Sequence, residues 1–177
     1  MRLIEATRFT LEPQTVVHAQ EMFVVLSDPA IYEYENEPPA SIEWLRARFA
    51  KLESRWSTDG QEQWLNWVIR LPTSELVGYV QATVRSNGGA AIAYELSSAY
   101  WGRGLASEAV WALIAELEEQ YQVCSLCAVL KHENQRSMRL LKRLGFSLAS
   151  IEEHVKRQIE PGELLMLREM HAEKHTR

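Results

Sequence analysis

Cysteine is scarce in this chain of 177 residues, which holds two, and glycine and proline are modest at eight and six. Two cysteines cannot build the disulfide framework of a small secreted scaffold, and the glycine and proline content excludes a collagenous or low-complexity chain. Cys124 and Cys127 form one isolated Cys-x-x-Cys, with neither a second pair nor histidines at ligand spacing, so no metal site is expected. Both fall in the apolar run Val123 to Leu130, which reads as a strand. Positions three apart on a strand face opposite sides, so both sulfurs are read as core thiols. No stretch approaches the roughly 18 uninterrupted apolar residues of a membrane helix. Met1 to Thr10 mixes Arg2, Glu5 and Arg8 with apolar residues and lacks the pattern of a secretion signal. A soluble, cytoplasmic protein without a membrane partner is the expectation. Positive charge is lacking too: the formal net charge is −5, which argues against direct nucleic-acid binding and suits cationic or neutral partners.

What is present is a real core. Hydrophobic residues make up 46% of the chain and six are tryptophan, as expected of a single domain over residues 1–177. Leu3 to Leu11 reads as a strand closed by Pro13, and Gln14 to Leu26 as a helix with Val16, Ala19, Phe23 and Leu26 on one face. Ser27 to Ala40, with three prolines, reads as loop. Ser41 caps a helix whose apolar stripe runs from Ile42 to Trp56. Three strands follow at Gln63 to Arg70, Leu76 to Arg85 and Ala90 to Leu96, joined by short turns and therefore antiparallel. Trp64 and Trp67, three apart on the first of these, face opposite sides. Leu105, Ala109, Leu113 and Leu117 make a crossover helix leading to the cysteine strand, which sets that strand parallel to the one before it, with a right-handed connection. Asn134 caps a short helix ending at Gly145, and two strands, Ser147 to Val155 and Glu163 to Met170, close the chain. The sum is an α+β fold with a mixed, mostly antiparallel sheet of about seven strands and about four helices.

The segment Tyr100 to Ala109 is the most informative. Small residues at Gly102, Gly104 and Ala106 stand where a strand runs into a helix, so backbone can approach a ligand. The first amides of a helix lack internal partners and sit at its positive dipole end, a natural cradle for phosphate. Glycines serving turn geometry alone explain the segment equally well. A P-loop is excluded because no Gly-x-x-x-x-Gly-Lys-Ser/Thr occurs, and a dinucleotide fingerprint because Ser107 stands at the third small position.

The residues Tyr100-Trp101-Gly102-Arg103-Gly104-Leu105-Ala106-Ser107-Glu108-Ala109 resemble motif A of the GNAT acetyltransferase superfamily, in the branch of ribosomal-protein N-terminal acetyltransferases. Trp101 stands where the wider superfamily has Arg or Gln. Residues 132–137 (His-Glu-Asn-Gln-Arg-Ser) followed by Leu140 to Phe146 are similar to that branch's second motif, and Leu76 to Tyr79 fits its layout. The resemblance implies acetyl-CoA as cosubstrate, with its diphosphate on Trp101, Gly102, Arg103, Gly104, Leu105 and Ala106, and Asn134 contacting the cofactor besides capping its helix. It implies an amine-bearing acceptor, a peptide N-terminus or a small molecule, acetylated by direct transfer. It also implies that the N–H near Leu96 polarises the thioester carbonyl.

Two side chains are candidates for the chemistry. Glu95 is placed to take the ammonium proton, although a cross-strand ion pair would account for it as well. Neutralising a lysine at pH 7 costs about 4.6 kcal/mol, and an N-terminal α-amine under a third of that. The tyrosine that many superfamily members use as proton donor is Leu141 here, so the resemblance points to Ser137, one helical turn earlier. A hydroxyl bonded to its own helix is the plain alternative. Tyr32, Glu33, Tyr34 and Glu35 fall where related enzymes line the acceptor pocket, and equally suit a solvated acidic loop. Tyr94 is expected opposite Glu95 and away from its cleft. A small-molecule acetyltransferase, a silent acyl-CoA-binding module and a pure interaction domain remain open on the sequence, as do monomer and homodimer.

Overall fold

The computed structural model describes residues 1–34 and 36–170. Its frame is one mixed sheet of eight strands. Strands β1 (Ile4–Glu5) and β2 (Thr10–Pro13) form a hairpin that leads into α1 (Ala19–Val25) and α2 (Ile42–Leu52). The meander β3 (Glu62–Arg70), β4 (Leu76–Arg85) and β5 (Gly89–Leu96) follows. Helix α3 (Leu105–Tyr121) crosses to β6 (Ser125–Lys131), then come α4 (Gln135–Arg143), β7 (Ser147–Leu148), α5 (Ile151–Lys156) and β8 (Glu163–Glu169). The strand order is β1-β2-β3-β4-β5-β6-β8-β7, and only β5 and β6 pair in parallel.

Side-chain alternation gives the sheet two different faces. Leu65, Trp67, Ile69, Val80, Ala82, Ile92 and Leu96 point towards α3 and α4, where α3 answers with Leu105, Ala109, Val110, Leu113, Ile114 and Leu117. Each large aliphatic chain buried there contributes roughly 1.5–3 kcal/mol. The other face is covered by α1 and α2, with Val68 and Tyr79 against Met22, Leu45 and Phe49. Trp64 and Trp67 divide between the faces: Trp67 is fully buried, while Trp64 lies under the Lys51 ammonium.

The feature that matters for function is a gap. Strand β5 pairs with β4 over residues 90–96, and β6 pairs with β8 over its whole length. Between β5 and β6 only Gly89↔Ser125, Ala90↔Leu126 and Ala91↔Cys127 pair. Beyond Ala91 the two strands diverge, and the sheet is open between residues 92–96 and 128–131.

Several features differ from the expectation: helix α2 stops at Leu52, so Trp56, expected on its stripe, lies beyond it, exposed and bridged to Gln63. The first strand is broken at Ala6–Phe9, where the Ala6 N–H donates to the Phe9 carbonyl at 3.0 Å. No glycine or proline marks this turn. The strand expected over Ser147 to Val155 is two residues long and gives way to α5, capped by Ser150, whose hydroxyl accepts from the Glu153 N–H. That Ser-x-x-Glu pattern, with Ile151 and Val155 one turn apart, is a helix signature that outweighs the apolar alternation. Cys124 precedes β6 and is exposed, so only Cys127 is a buried thiol.

Gly78 sits opposite Leu96, and a Cβ there would meet the Glu95 carbonyl at 2.2 Å. Gly78→Ala should therefore push β4 and β5 apart at the cleft, at a cost of about 1–3 kcal/mol. The expected fall in Tm is several degrees, about 2–4 °C per kcal/mol for a chain of this size, and an unchanged melting curve would contradict the close approach.

Candidate active site

The gap between β5 and β6 forms a cleft of about 150 Å³. Strand β5 contributes residues 92–96, β6 residues 128–130, and α4 with its cap contributes Asn134, Ser137, Leu140 and Leu141. Trp101 and Ala106 close it on the side of the glycine turn. The cleft passes through the plane of the sheet, so it collects side chains from both faces. Tyr94 and Glu95 therefore both line it although they point oppositely, and the β4–β5 register around them is continuous. Parity correctly separates the two residues but does not exclude Tyr94 from the cleft.

In the turn before α3, Gly102 and Gly104 adopt φ of 73° and 76°, conformations that cost a residue with a Cβ about 1–2 kcal/mol. Helix α3 then starts with no side-chain cap, and its first backbone bond is the Glu108 N–H to the Gly104 carbonyl. Among the described residues, the amides of residues 102–107 find no acceptor. Leu105 itself is buried in the core, so only its backbone can serve a ligand. Arg8 braces this turn from the β1–β2 hairpin: its guanidinium donates to the Arg103 carbonyl at 3.0 Å and to both Glu108 oxygens at 2.7 and 2.8 Å. Sequence reasoning missed Arg8 because nothing local marks the turn that carries it. Trp101 is held on both sides, its indole N–H donating to the Leu96 carbonyl at 2.8 Å while the Arg136 guanidinium lies 3.4 Å from the ring centre.

Around the gap, the Asn134 side chain accepts the Ser137 N–H at 3.0 Å and caps α4. The Ser137 hydroxyl is not bonded back to its helix among the described residues and lines the cleft. It approaches Tyr94, whose hydroxyl is buried without an acceptable hydrogen-bond partner. Burial pushes the Tyr94 pKa up to about 12; the Glu95 charge adds to this, while Ser137, Arg136 and Arg143 oppose it. The Leu96 N–H, implied as a donor to the thioester carbonyl, is held by the Glu95 carboxylate at 3.1 Å.

The acceptor-loop residues separate. Tyr34 lines the cleft. Tyr32 lines a second pocket of about 490 Å³ on the α2 side, which meets the cleft at Tyr79, Ala93, Glu95 and Val129. Its hydroxyl donates to the Leu26 carbonyl at 2.7 Å, and burial, then Glu95 and Asp28, raise its pKa to about 12. Glu33 is exposed and borders neither pocket; Glu35 lies outside the described residues. Asp28 ties this loop to the segment after β5 by accepting the Ser98 N–H at 3.0 Å, and its hydrogen bonds to Ser98 hold its pKa below the usual carboxylate range.

The site is thus a mixed sheet parted between two parallel strands, with uncapped helix amides beside the gap. The chain belongs to the GNAT acetyltransferase family: the profile described as the acetyltransferase (GNAT) domain matches residues 8–147. It is an N-acetyltransferase by that membership. The uncharacterized N-acetyltransferase p20 of Bacillus licheniformis is 28% identical over 148 residues, 82% of this chain and 83% of p20. The fold is similar to that of RimL, the ribosomal L7/L12 α-N-protein acetyltransferase, in complex with coenzyme A (TM-score 0.77, 19% identity, 96% of this chain and 98% of that one). It is equally similar to the ribosomal-protein-S5-alanine acetyltransferase of Vibrio fischeri (TM-score 0.77, 16% identity, 96% and 97%). No helix among the described residues is long and apolar enough to cross a membrane.

The Tyr94 environment predicts an alkaline weakness. With a folded pKa of about 12 against an ordinary 10.0, the unfolded chain releases this proton first, so stability falls as pH rises from about 10 to about 12. Tyr94→Phe should remove a share on the order of 2–3 kcal/mol of that fall, read by urea unfolding at pH 9 and pH 11.5. Because the lost hydroxyl has no partner, no destabilisation is expected at pH 7.

Proposed function

We propose that the protein transfers an acetyl group from acetyl-CoA directly to the N-terminal α-amine of a peptide or protein. The observation that carries this reading is the row of free amides at the start of α3, beside a gap that brings Glu95 and Ser137 to one cleft. Free amides at a positive helix end, with glycines that let a ligand approach, fit a diphosphate. Gly102, Arg103, Gly104, Leu105 and Ala106 would hold it through backbone N–H groups, with Trp101 and Arg136 forming the wall between turn and cleft. Asn134 keeps its amide NH₂ for the pantetheine arm after spending its oxygen on the α4 cap.

Acetyl-CoA supplies an activated carbonyl and a thiol leaving group of pKa about 8.5. The chain's own groups do the rest. Glu95 takes the proton that the ammonium must lose before it can attack. To do so its carboxylate leaves the Leu96 N–H, and that freed donor becomes available to a carbonyl oxygen in the cleft. One amide thus serves first to hold the base and then to stabilise charge. Ser137 offers its hydroxyl to the departing sulfur. The single domain over 1–177 and a peptide acceptor belong to the same reading. The wide pocket beyond Glu95 supports the latter, being larger than a small amine requires.

Saturating CoA should raise Tm in the natural protein, since a ligand at 100 times its Kd adds about 2.7 kcal/mol. Gly104→Glu, which puts a negative side chain and a strained φ into the cradle, should abolish that rise; a retained CoA shift would displace the assigned turn. Ser137→Ala and Glu95→Gln should keep the CoA shift while slowing thiol release with N-terminal peptides by about 10²-fold or more. Full turnover in either would remove that residue from the chemistry.

A further inference from the structure

The pocket on the α2 side runs well past Glu95, and its floor is polar in an unusual way. Three carboxamides lie there in one cross-strand row. Gln14 follows β2 and its N–H donates to the Asn66 carbonyl at 2.9 Å; Asn66 on β3 stands opposite Gln81 on β4, and Gln81 opposite Ala93 on β5. All four border the pocket, and Glu95 is two residues beyond Ala93 on the same strand face. Gln14 and Asn66 are each only 4% exposed. The Gln14 Nε2 is buried without a partner, and the Asn66 and Gln81 side chains make no hydrogen bond among the described residues. Buried amides in folded proteins are ordinarily paired, and the neighbouring position on β3 in this face is the fully buried Val68. With the Gln14 Nε2 unpartnered, Asn66 buried beside it and Gln81 half-buried, the row bordering the pocket has hydrogen-bonding groups to spare for a ligand that arrives from outside.

The chemistry of that ligand follows from the groups. Each carboxamide offers an NH₂ donor and a carbonyl acceptor with no net charge. A peptide unit offers the same pair in complement, whereas an ammonium or a carboxylate offers only one kind. Distance agrees: Gln81 lies on the diagonal from Glu95, about 7–8 Å away, and an extended peptide covers about 3.3–3.6 Å per residue. With the reacting amine at Glu95, the row meets the main chain about two residues on. We propose that Gln14, Asn66 and Gln81 form a subsite for the peptide groups following the acceptor's N-terminal residue, so that this enzyme selects peptide chains over single-residue amines. This rests on the reading of Glu95 as the group that meets the amine.

The test compares tetra-alanine amide with alaninamide, which share a reacting residue and differ only in the following peptide units. Isothermal titration into the full chain saturated with CoA avoids turnover. The tetrapeptide is expected to bind about ten-fold more tightly or better, and Gln81→Leu and Asn66→Leu to lose most of that preference. A CoA-induced rise in Tm verifies that each variant is folded, and Gln81→Leu decides alone if Asn66→Leu does not fold. Equal affinity of the natural protein for the two ligands overturns the proposal, as does a preference retained in the folded variants. Thiol release from acetyl-CoA is followed in parallel: a peptide preference in binding without release would strike the catalytic reading of Glu95 and uphold the subsite.

Discussion

The structure turns on the failure of β5 and β6 to stay together. Each is fixed on its outer side, β5 by β4 and β6 by β8, through continuous ladders. On their inner sides they share three pairs and then part. Backbone N–H and C=O groups left without partners are costly when buried, so the open edges persist only because α3 and α4 pack against both halves and hold them at that spacing. The Leu96 N–H faces the gap, since the neighbouring Ser97 N–H donates to Val77 on the β4 side at 2.8 Å and successive amides alternate edges. An amide stranded at the edge of a gap, occupied by the carboxylate beside it, is the centre from which both halves of the proposed chemistry are organised.

Because the gap runs through the sheet, each face acquires a task. The α3–α4 face carries the glycine turn, Trp101 and Ser137; the α1–α2 face carries the deep pocket and the carboxamide row. Three side chains keep these faces in step. Arg8 reaches from the first hairpin to the glycine turn, Asp28 joins the proline-rich loop to Ser98, and Trp101 joins the turn to Leu96 and Arg136. Each acts across a sequence separation that no local pattern announces, except for Trp101. The glycine turn and the proline-containing loop are in this way parts of one hydrogen-bonded unit.

Much of the element order was legible because it depends on local rules. Helix α3 follows from its apolar stripe, α4 from its Asn134 cap, and the β3–β5 meander from three strand patterns joined by short turns. Where the reading went astray, a stronger local signal or a distant contact decided. The Ser150 cap overrode the strand pattern of the following segment, and the glycine-free turn at Ala6–Phe9 is stabilised by what it touches, with Phe9 in the core and Arg8 on the Arg103 carbonyl. Cys124 fell just outside its strand and so outside the core.

The sequence by itself determined the glycine turn before α3 and the opposed faces of Tyr94 and Glu95, because glycine conformational freedom, helix-end polarity and strand alternation act over a few residues. Only the tertiary structure decided that these two residues share a cleft, that Arg8 supports the turn, and that Gln14, Asn66 and Gln81 stand in one row. Those facts depend on register and on where two strands separate, and such geometry is set by packing among elements far apart in the chain.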